Sequence, residues 1–206
     1  ATMMGIWGIQ ESLFQWGIDS LGNPSDEIPM VAESWDVASD QSKVTIHIRP
    51  GVKVRTWDIV GDGGFKDWGD IDAADVAWTY NRAGADNLES RHDQADAIAE
   101  VFTAWSPVSK YVVDAPFKIY RGDWITINAS HGVNVQSAKV NAAREAGTDW
   151  KIDTTGNWVV RDWLPQEKID LVGVADHYRN APTYENLLMI EVPEASVRAA
   201  MLLAGE

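Results

Sequence analysis

The stretch PMVAESWDVASDQSKVTIHIRPGVKV, residues 29–54, decides the fold of this chain. Within it, residues 43–49 (KVTIHIR) alternate β-branched apolar side chains with polar ones, the pattern of a strand with one buried and one solvent-facing side. Residues 30–37 have the composition of another short strand. Because only a short turn containing Asp40 separates the two segments, we expect them to pair as an antiparallel hairpin.

A helix is predicted downstream of this hairpin, within IDAADVAWTYNR at residues 71–82. Asp72 is the expected N-cap, and Asp75, three residues later, is its capping-box partner. The helix is predicted to end at Gly84. Three of its side chains share one face: Val76, Tyr80 and Ala83.

The other predicted elements mix helices with hairpins. Helices are predicted over residues 3–16, 95–105 and 138–147, and from residue 194 onward. Strands are predicted over residues 110–113, 117–120, 158–162, 168–172 and 187–192, whereas the Gly- and Asp-rich residues 57–70 are predicted to form a loop. Since no βαβ period repeats, the predicted class is α+β or mixed α/β.

The composition is that of a globular protein. The chain has 206 residues, with 45% hydrophobic and 23% charged, so it forms one large or two small units. Its net charge of −14 repels nucleic acid, and the absence of cysteine excludes disulfides, thiol catalysis and thiolate zinc sites. No apolar run approaches the roughly 18 residues of a membrane span. The first ten residues, ATMMGIWGIQ, lack the features of a signal peptide.

Three segments, in their order along the chain, carry a family resemblance. The first is the hairpin of residues 29–54, with Ala-Glu-Ser-Trp before Arg-Pro-Gly-Val-Lys, and the second is the helix of residues 71–82. The third is TGNWVVRDWLPQEKIDLVGVADHY, residues 155–178, followed by LLMIEVPEASVRAAMLLAGE, residues 187–206. Together they resemble the oligopeptide/dipeptide (peptide/nickel) family of solute-binding proteins of ABC transporters.

The chain departs from the family pattern at two places. Where the family has a short His-Asp-Gly turn after Gly-Val-Lys, this chain carries the longer RTWDIVGDGGFKDWGD, residues 55–70. Where the family has Thr-Gly-Pro-Tyr, this chain has Thr-Gly-Asn-Trp at residues 155–158. These departures concern the subgroup and its substrate.

The resemblance implies a fold, a domain division and a function. The implied fold is a periplasmic-binding-protein-like lobe with antiparallel hairpins and flanking helices, incomplete without a second lobe. Residues 1–137 would form a small peripheral subdomain and residues 138–206 part of the first ligand-binding lobe. The protein would be a monomeric, non-enzymatic subunit without a cofactor, located in the periplasm or outside the cell, with or without a lipid anchor. It would close two lobes around a peptide or similar solute and deliver it to a membrane permease.

The resemblance also implies which residues face the cleft between the lobes. They lie after the second motif and just before the alanine-rich helix. Arg and His side chains suit a ligand carboxylate, and Asn suits a backbone amide. The six predicted ligand-contacting residues are Arg91, His92, Gln94, Ser130, His131 and Asn134.

The residues alone suggest three other kinds of site. A calcium site is suggested by five aspartates in one Gly-rich region: Asp58, Asp62, Asp67, Asp70 and Asp72. Their spacing does not match a twelve-residue calcium loop. The chain has four histidines: His47, His92, His131 and His177. No two of them have the His-x-x-x-His spacing of a catalytic zinc site. An acid pair formed by Glu33 and Glu100 would suit glycoside hydrolysis, although no spacing requires it.

Tryptophan is over-represented, with 11 residues spread from Trp7 to Trp163. Such residues either fill cores or stack on sugars, so a carbohydrate-active enzyme or sugar-binding module is the alternative function. The sugar hypothesis predicts several indoles along one exposed groove. The transport hypothesis predicts a lobe with an unfinished apolar edge, and a self-standing interaction domain would have a closed core.

Overall fold

The structure is a computed structural model that describes residues 8–21, 23–58, 63–84, 95–129, 133–147 and 152–205. The strands are β1 (Phe14–Ile18), β2 (Pro24–Pro29), β3 (Ala32–Val37), β4 (Lys43–Ile48), β5 (Lys53–Trp57), β6 (Phe65–Asp70), β7 (Ser106–Ser109), β8 (Val112–Pro116), β9 (Trp158–Leu164), β10 (Lys168–Gly173) and β11 (Asn186–Ile190). The helices are α1 (Ala73–Gly84), α2 (Ala95–Val101), α3 (Trp124–Ala129), α4 (Ala138–Ala146) and α5 (Ala195–Ala204).

The predicted hairpin of β3 and β4 is confirmed and lies in a four-stranded antiparallel sheet of order β3-β4-β8-β7. The alternation in β4 is the observed burial pattern, because Val44, Ile46 and Ile48 are buried whereas the intervening residues are not. In the turn, the Asp40 carboxylate accepts hydrogen bonds from the backbone N–H and the hydroxyl of Ser42. The hairpin therefore places one apolar face against the core.

The predicted capping box of α1 is also confirmed. The Asp72 carboxylate accepts hydrogen bonds from the N–H groups of Ala74 and Asp75, at 2.9 and 3.1 Å. In return, Asp75 accepts one from the N–H of Asp72 at 3.3 Å. The helix packs against α2, α4, β7 and β8 with the predicted face buried.

Three regions between residues 55 and 120 differ from their predictions. Residues 65–70 are not a loop but strand β6, which pairs with β5. The predicted strands 110–113 and 117–120 are displaced, because the turn lies at Lys110-Tyr111 between β7 and β8. Helix α2 ends at Val101, before the predicted residue 105, because the chain turns to place the N–H of Thr103 on the carbonyl of Pro116.

The helix predicted over residues 3–16 is wrong where the structure describes it. Residues 14–16 belong to β1, which pairs with β2, and residues 8–13 run between other segments as irregular backbone. Tertiary hydrogen bonds replace the helical ones: Gly156 donates to the carbonyl of Ile9 at 3.0 Å and Val135 to that of Glu11 at 2.8 Å. Residues 1–7 lie outside the described ranges.

The C-terminal predictions are confirmed. Helix α4, the hairpin of β9 and β10, and strand β11 followed by α5 all form close to their predicted bounds. Helix α5 ends at Gly205, whose left-handed conformation (φ 82°) forms the C-cap. Among the described residues, β11 pairs only with β10, and α5 has no buried side chain. Large apolar side chains are consequently exposed there: Leu187, Leu188, Ile190, Leu202 and Leu203.

The main core is formed by the four-stranded sheet with helices α1 and α2, and Trp124 of α3 packs into it. Aromatic pairs connect its parts. Phe14 meets Trp35 edge-on at 4.9 Å between ring centroids, and Tyr80 stacks on Trp105 at 4.0 Å. No helix in the described part of the chain combines the length and apolar content that crossing a bilayer requires.

Candidate functional site

Most of the predicted ligand-contacting residues lie outside the described residues: Arg91, His92, Gln94, Ser130 and His131. Asn134 is described, is only 8% exposed, and forms an isolated β-bridge with Ser12. It therefore lies beside the irregular segment 8–13. A ligand contact by Asn134 stays a prediction.

Asn134 is one member of a buried polar cluster, which we call the polar junction. The cluster forms where segment 8–13 runs between residues 133–137 and residues 153–158, with residues 177–179 covering one end. Its members are Gln10, Glu11, Asn134, Ser137, Asp153, Thr155, His177, Tyr178 and Arg179.

Backbone hydrogen bonds hold segment 8–13 in place. The N–H groups of Thr155 and Gly156 both donate to the carbonyl of Ile9, at 3.2 and 3.0 Å, and Trp158 donates to that of Gly8 at 3.1 Å. The Thr155 hydroxyl accepts from the N–H of Glu11 at 2.9 Å. The Thr-Gly motif of the sequence is thus a docking site for the N-terminal segment.

Asp153 is the acidic centre of one half of the polar junction. One of its carboxylate oxygens accepts a hydrogen bond from Gln10 Nε2 at 2.9 Å, and the other accepts from the N–H of Ser137 at 2.7 Å. The side chain is almost fully buried, with Asp153 2% exposed. Burial raises the pKa of Asp153, and the hydrogen bond from Ser137 offsets only part of that effect.

Glu11 is the acidic centre of the other half. Its side chain is 5% exposed, accepts a hydrogen bond from the Tyr178 hydroxyl and pairs with Arg179 Nη2 at 2.5 Å. Burial, and then the neighbouring Glu11 charge, raise the pKa of Tyr178, so its hydroxyl stays a donor. Burial disfavours the charge on Arg179, but the hydrogen bond and charge of Glu11 outweigh it and raise the pKa of Arg179. Glu11 and Arg179 therefore form an ion pair.

His177 closes this half of the junction, with a side chain only 4% exposed. Its Nε2 lies 3.3 Å from the carbonyl oxygen of Thr155 and 3.6 Å from Glu11 Oε1. Burial lowers the pKa of His177, and the Glu11 charge opposes this without reversing it. The folded protein thus favours the neutral imidazole.

The depressed pKa of His177 predicts a pH dependence of stability. Below the ordinary histidine pKa of about 6.5, the unfolded chain takes up a proton that the folded site disfavours. We therefore expect this histidine's contribution to the free energy of unfolding to be present above that pH and to be lost as the pH falls toward the depressed folded pKa. In urea unfolding at pH 7.5 and 5.0, the free energy of unfolding should fall less between the two pH values for His177→Gln than for the wild type.

His47 on β4 provides the control for this experiment. It is partly exposed and lies 3.2 Å from Asp36. His47→Gln should leave the difference between the two pH values close to that of the wild type. An unchanged pH dependence in His177→Gln would contradict the assignment.

The other sites weighed from the sequence do not assemble in the described residues. Glu33 pairs with Arg49 at 3.8 Å, whereas Glu100 pairs with Arg121 at 3.4 Å, so each carboxylate has its own arginine. Asp67 pairs with a lysine and Asp72 caps a helix. Within the described ranges, no three His, Asp or Glu side chains are grouped so that they could hold a metal ion.

The tryptophans that the structure describes serve packing more than an open groove. Trp105 and Trp124 are buried at 3% and 4% exposure, and three more pack against the core: Trp16, Trp35 and Trp68. The guanidinium carbon of Arg161 lies over the ring of Trp57, 5.8 Å from the centroid of that ring. This arrangement does not favour the sugar-binding alternative.

Comparison with known proteins decides the family. A family model described as bacterial extracellular solute-binding proteins, family 5 Middle, matches residues 27–206. The chain belongs to this family. The resemblance found in the sequence is thereby confirmed.

Relatives of this family-5 chain are named as binding proteins. Di/tripeptide-binding protein 4 of Pseudomonas aeruginosa is 25% identical over 199 residues, which cover 88% of this chain and 36% of that protein. Heme-binding protein A of Haemophilus influenzae is 27% identical over 198 residues, which cover 88% of this chain and 35% of that protein. The chain therefore spans little more than a third of these relatives.

A solved structure confirms the fold of this family-5 chain. The dipeptide-binding protein of Pseudoalteromonas sp. SM9913, in complex with Met-Leu, matches with a TM-score of 0.79 at 19% identity. The match covers 97% of this chain and 40% of that structure. The predicted class, a periplasmic-binding-protein-like mixed α/β lobe with antiparallel sheets and helices, is confirmed.

The sequence does not predict the two acids at the centre of the polar junction. Glu11 lies in the segment whose apolar run predicts a helix, and no local motif marks Asp153. The available signal was the motif ADHYR, residues 175–179, which begins inside the family segment 155–178 and extends one residue beyond it. Only the fold brings these residues together with Glu11.

Proposed function

We propose that the intact protein containing these 206 residues is the solute-binding subunit of an ABC importer. It captures a peptide or similar small solute between two lobes and delivers it to a membrane permease, in the periplasm or outside the cell. The family match over residues 27–206 carries this proposal. The names of the matched relatives, which include di/tripeptide-binding and heme-binding proteins, favour a binding role without catalysis.

The proposed division assigns residues 1–137 to a peripheral subdomain and residues 138–206 to part of the first ligand-binding lobe. The exposed apolar surface of β11 and α5 supports the second assignment, because such a surface is normally covered by further protein. Segment 8–13 crosses this division, since it bonds to both Val135 and Gly156. A self-standing interaction domain would instead have buried that surface.

The proposed ligand-contacting residues remain those of the sequence analysis. Asn134 is the member that the structure describes, at the edge of the polar junction. The proposed mechanism is closure of two lobes around the solute, a two-state change biased by the ligand. We further propose that the protein acts as a monomer.

A ligand screen on the intact protein tests the function. We expect one member of a panel containing the dipeptide Met-Leu, a tripeptide and heme to raise the melting temperature, because a ligand that binds only the folded state stabilises it. The 206-residue chain should show no submicromolar affinity for small peptides in calorimetry, since one face of a cleft cannot desolvate a ligand.

Two results would contradict the proposal. Submicromolar binding of a small peptide by the 206-residue chain alone would remove the need for two lobes. An intact protein that ignored the whole panel but bound oligosaccharides would restore the sugar-binding alternative.

A further inference from the structure

The start of helix α4 needs partners for its first N–H groups. These groups have no acceptor within a helix and are normally bonded by a capping side chain. Ser137 is the N-cap residue, but its own hydroxyl makes no capping hydrogen bond. The acceptors must therefore come from elsewhere.

Buried side chains accept hydrogen bonds from the N–H of Ala138, the first helical residue, and from the N–H groups of the two residues before it. Gln136 N–H donates to Thr79 Oγ1 at 3.1 Å, Ser137 N–H to Asp153 Oδ2 at 2.7 Å, and Ala138 N–H to Asp75 Oδ1 at 2.8 Å. Asp75, Thr79 and Asp153 are 2%, 4% and 2% exposed. Water is therefore not an available substitute for any of the three.

Neither carboxylate has a spare oxygen. Asp75 uses its second oxygen for the N–H of Asp72, at 3.3 Å, so that one side chain caps both α1 and α4. Asp153 uses its second oxygen for Gln10 Nε2, at 2.9 Å. An amide in place of either carboxylate could satisfy only one of the two donors.

We propose that Asp75 and Asp153, together with the Thr79 hydroxyl, are positioning groups that hold residues 133–138 between α1 and the segment before β9. This fixes Asn134, and so the edge of the proposed ligand cleft that carries it. The ligand consequence rests on the proposed function, whereas the effect on the backbone does not. Because the two acids come from opposite sides of residue 137, they also join the two proposed subdomains.

Hydrogen exchange of the intact protein tests the backbone effect. In Asp75→Asn and in Asp153→Asn, amides of residues 136–141 should exchange at least about tenfold faster, since a buried donor is left unpaired. Amides of β9 and β10 should exchange at the wild-type rate. Unchanged exchange at residues 136–141, or equal acceleration everywhere, would overturn the proposal.

Asp72→Asn is the matched control. Asp72 accepts both of its capping hydrogen bonds on Oδ1, at 2.9 and 3.1 Å, so an asparagine can keep them. Exchange at residues 136–141 should remain within about twofold of the wild type. If Asp72→Asn accelerates it as much as Asp75→Asn does, loss of charge near the helices is the cause and the proposal fails.

Two less disruptive variants, at Thr79, test the same backbone effect if an aspartate variant does not fold. Thr79→Val keeps the shape but removes the acceptor for Gln136 N–H, whereas Thr79→Ser retains the hydroxyl. Faster exchange at residue 136 in the valine variant and not in the serine variant supports the proposal. Equal exchange in both would overturn it.

The ligand arm uses whichever panel member the wild type binds. Its affinity should fall by about fivefold or more in Asp75→Asn and Asp153→Asn, because the cleft is no longer preorganised. If the aspartate variants exchange faster at residues 136–141 but bind the ligand with unchanged affinity, the positioning role is overturned. A wild type that binds nothing in the panel would refute the proposed function, and the exchange result would then decide alone whether the two acids hold the segment.

Discussion

Replacing Glu11 by alanine is expected to lower the free energy of unfolding by about 2–4 kcal/mol, because it removes the buried partner of an ion pair whose arginine is about one third exposed. The substitution leaves Arg179 and the Tyr178 hydroxyl without the carboxylate that both contact. It also empties the volume of a side chain that is 5% exposed. Urea denaturation of the intact protein, followed by tryptophan fluorescence, measures the loss.

Two further variants separate charge from packing at this site. Glu11→Gln retains the shape but not the charge, and its one carbonyl oxygen can accept only one of the two hydrogen bonds from Tyr178 and Arg179, so its loss of stability should be intermediate. Glu33→Ala removes a half-exposed carboxylate that lies 3.8 Å from Arg49, and a surface pair of this kind contributes at most about 1 kcal/mol. If Glu11→Ala costs no more than Glu33→Ala, the polar junction does not stabilise the fold.

Gly156→Ala is expected to destabilise the protein by about 3 kcal/mol, the upper end of the usual cost of overpacking, because backbone atoms block the added methyl group. A Cβ at this position would overlap the carbonyl oxygen of Gly8, with the carbonyl carbon at 2.6 Å and that of Ile9 at 3.0 Å. These are backbone atoms of the segment whose hydrogen bonds Gly156 itself helps to make. The expected result is a lower urea midpoint and weaker exchange protection at Thr155.

Gly122→Ala is the matched control, because a Cβ there would meet nothing within 4 Å. An unhindered Gly→Ala change also reduces the freedom of the unfolded chain, so we expect a change within about 1 kcal/mol of zero. A Gly156→Ala variant as stable as Gly122→Ala would show that segment 8–13 does not lie against residue 156.

Local sequence rules were sufficient where an element makes its own hydrogen bonds. The alternation in residues 43–49 predicted which side of β4 is buried, because a strand's two faces follow directly from its period of two. Asp72 and Asp75 predicted the start of α1, since a capping box is completed within four residues. Neither inference requires knowledge of what packs against the element.

Local rules failed where distant segments supply the hydrogen bonds. Gly and Asp in residues 57–70 predicted a loop, yet β6 forms there because Lys53 and the rest of β5 pair with it. The apolar run of residues 3–16 predicted a helix, but β2, residues 134–135 and residues 155–158 supply hydrogen-bonding partners that a helix would have kept internal. Pairing across the fold overrode the local preference.

The sequence by itself determined the family, the mixed α/β class, the β3–β4 hairpin and the capped helix α1, because short-range patterns encode each of them. The family resemblance singled out Asn134, but the fold places that residue at the edge of the polar junction. Only the tertiary structure decided the junction itself. Gln10 meets Asp153 across 143 residues and Glu11 meets Arg179 across 168, and a polar residue is stable in a buried site only with such a partner. A single sequence carries no period or spacing that pairs residues so far apart.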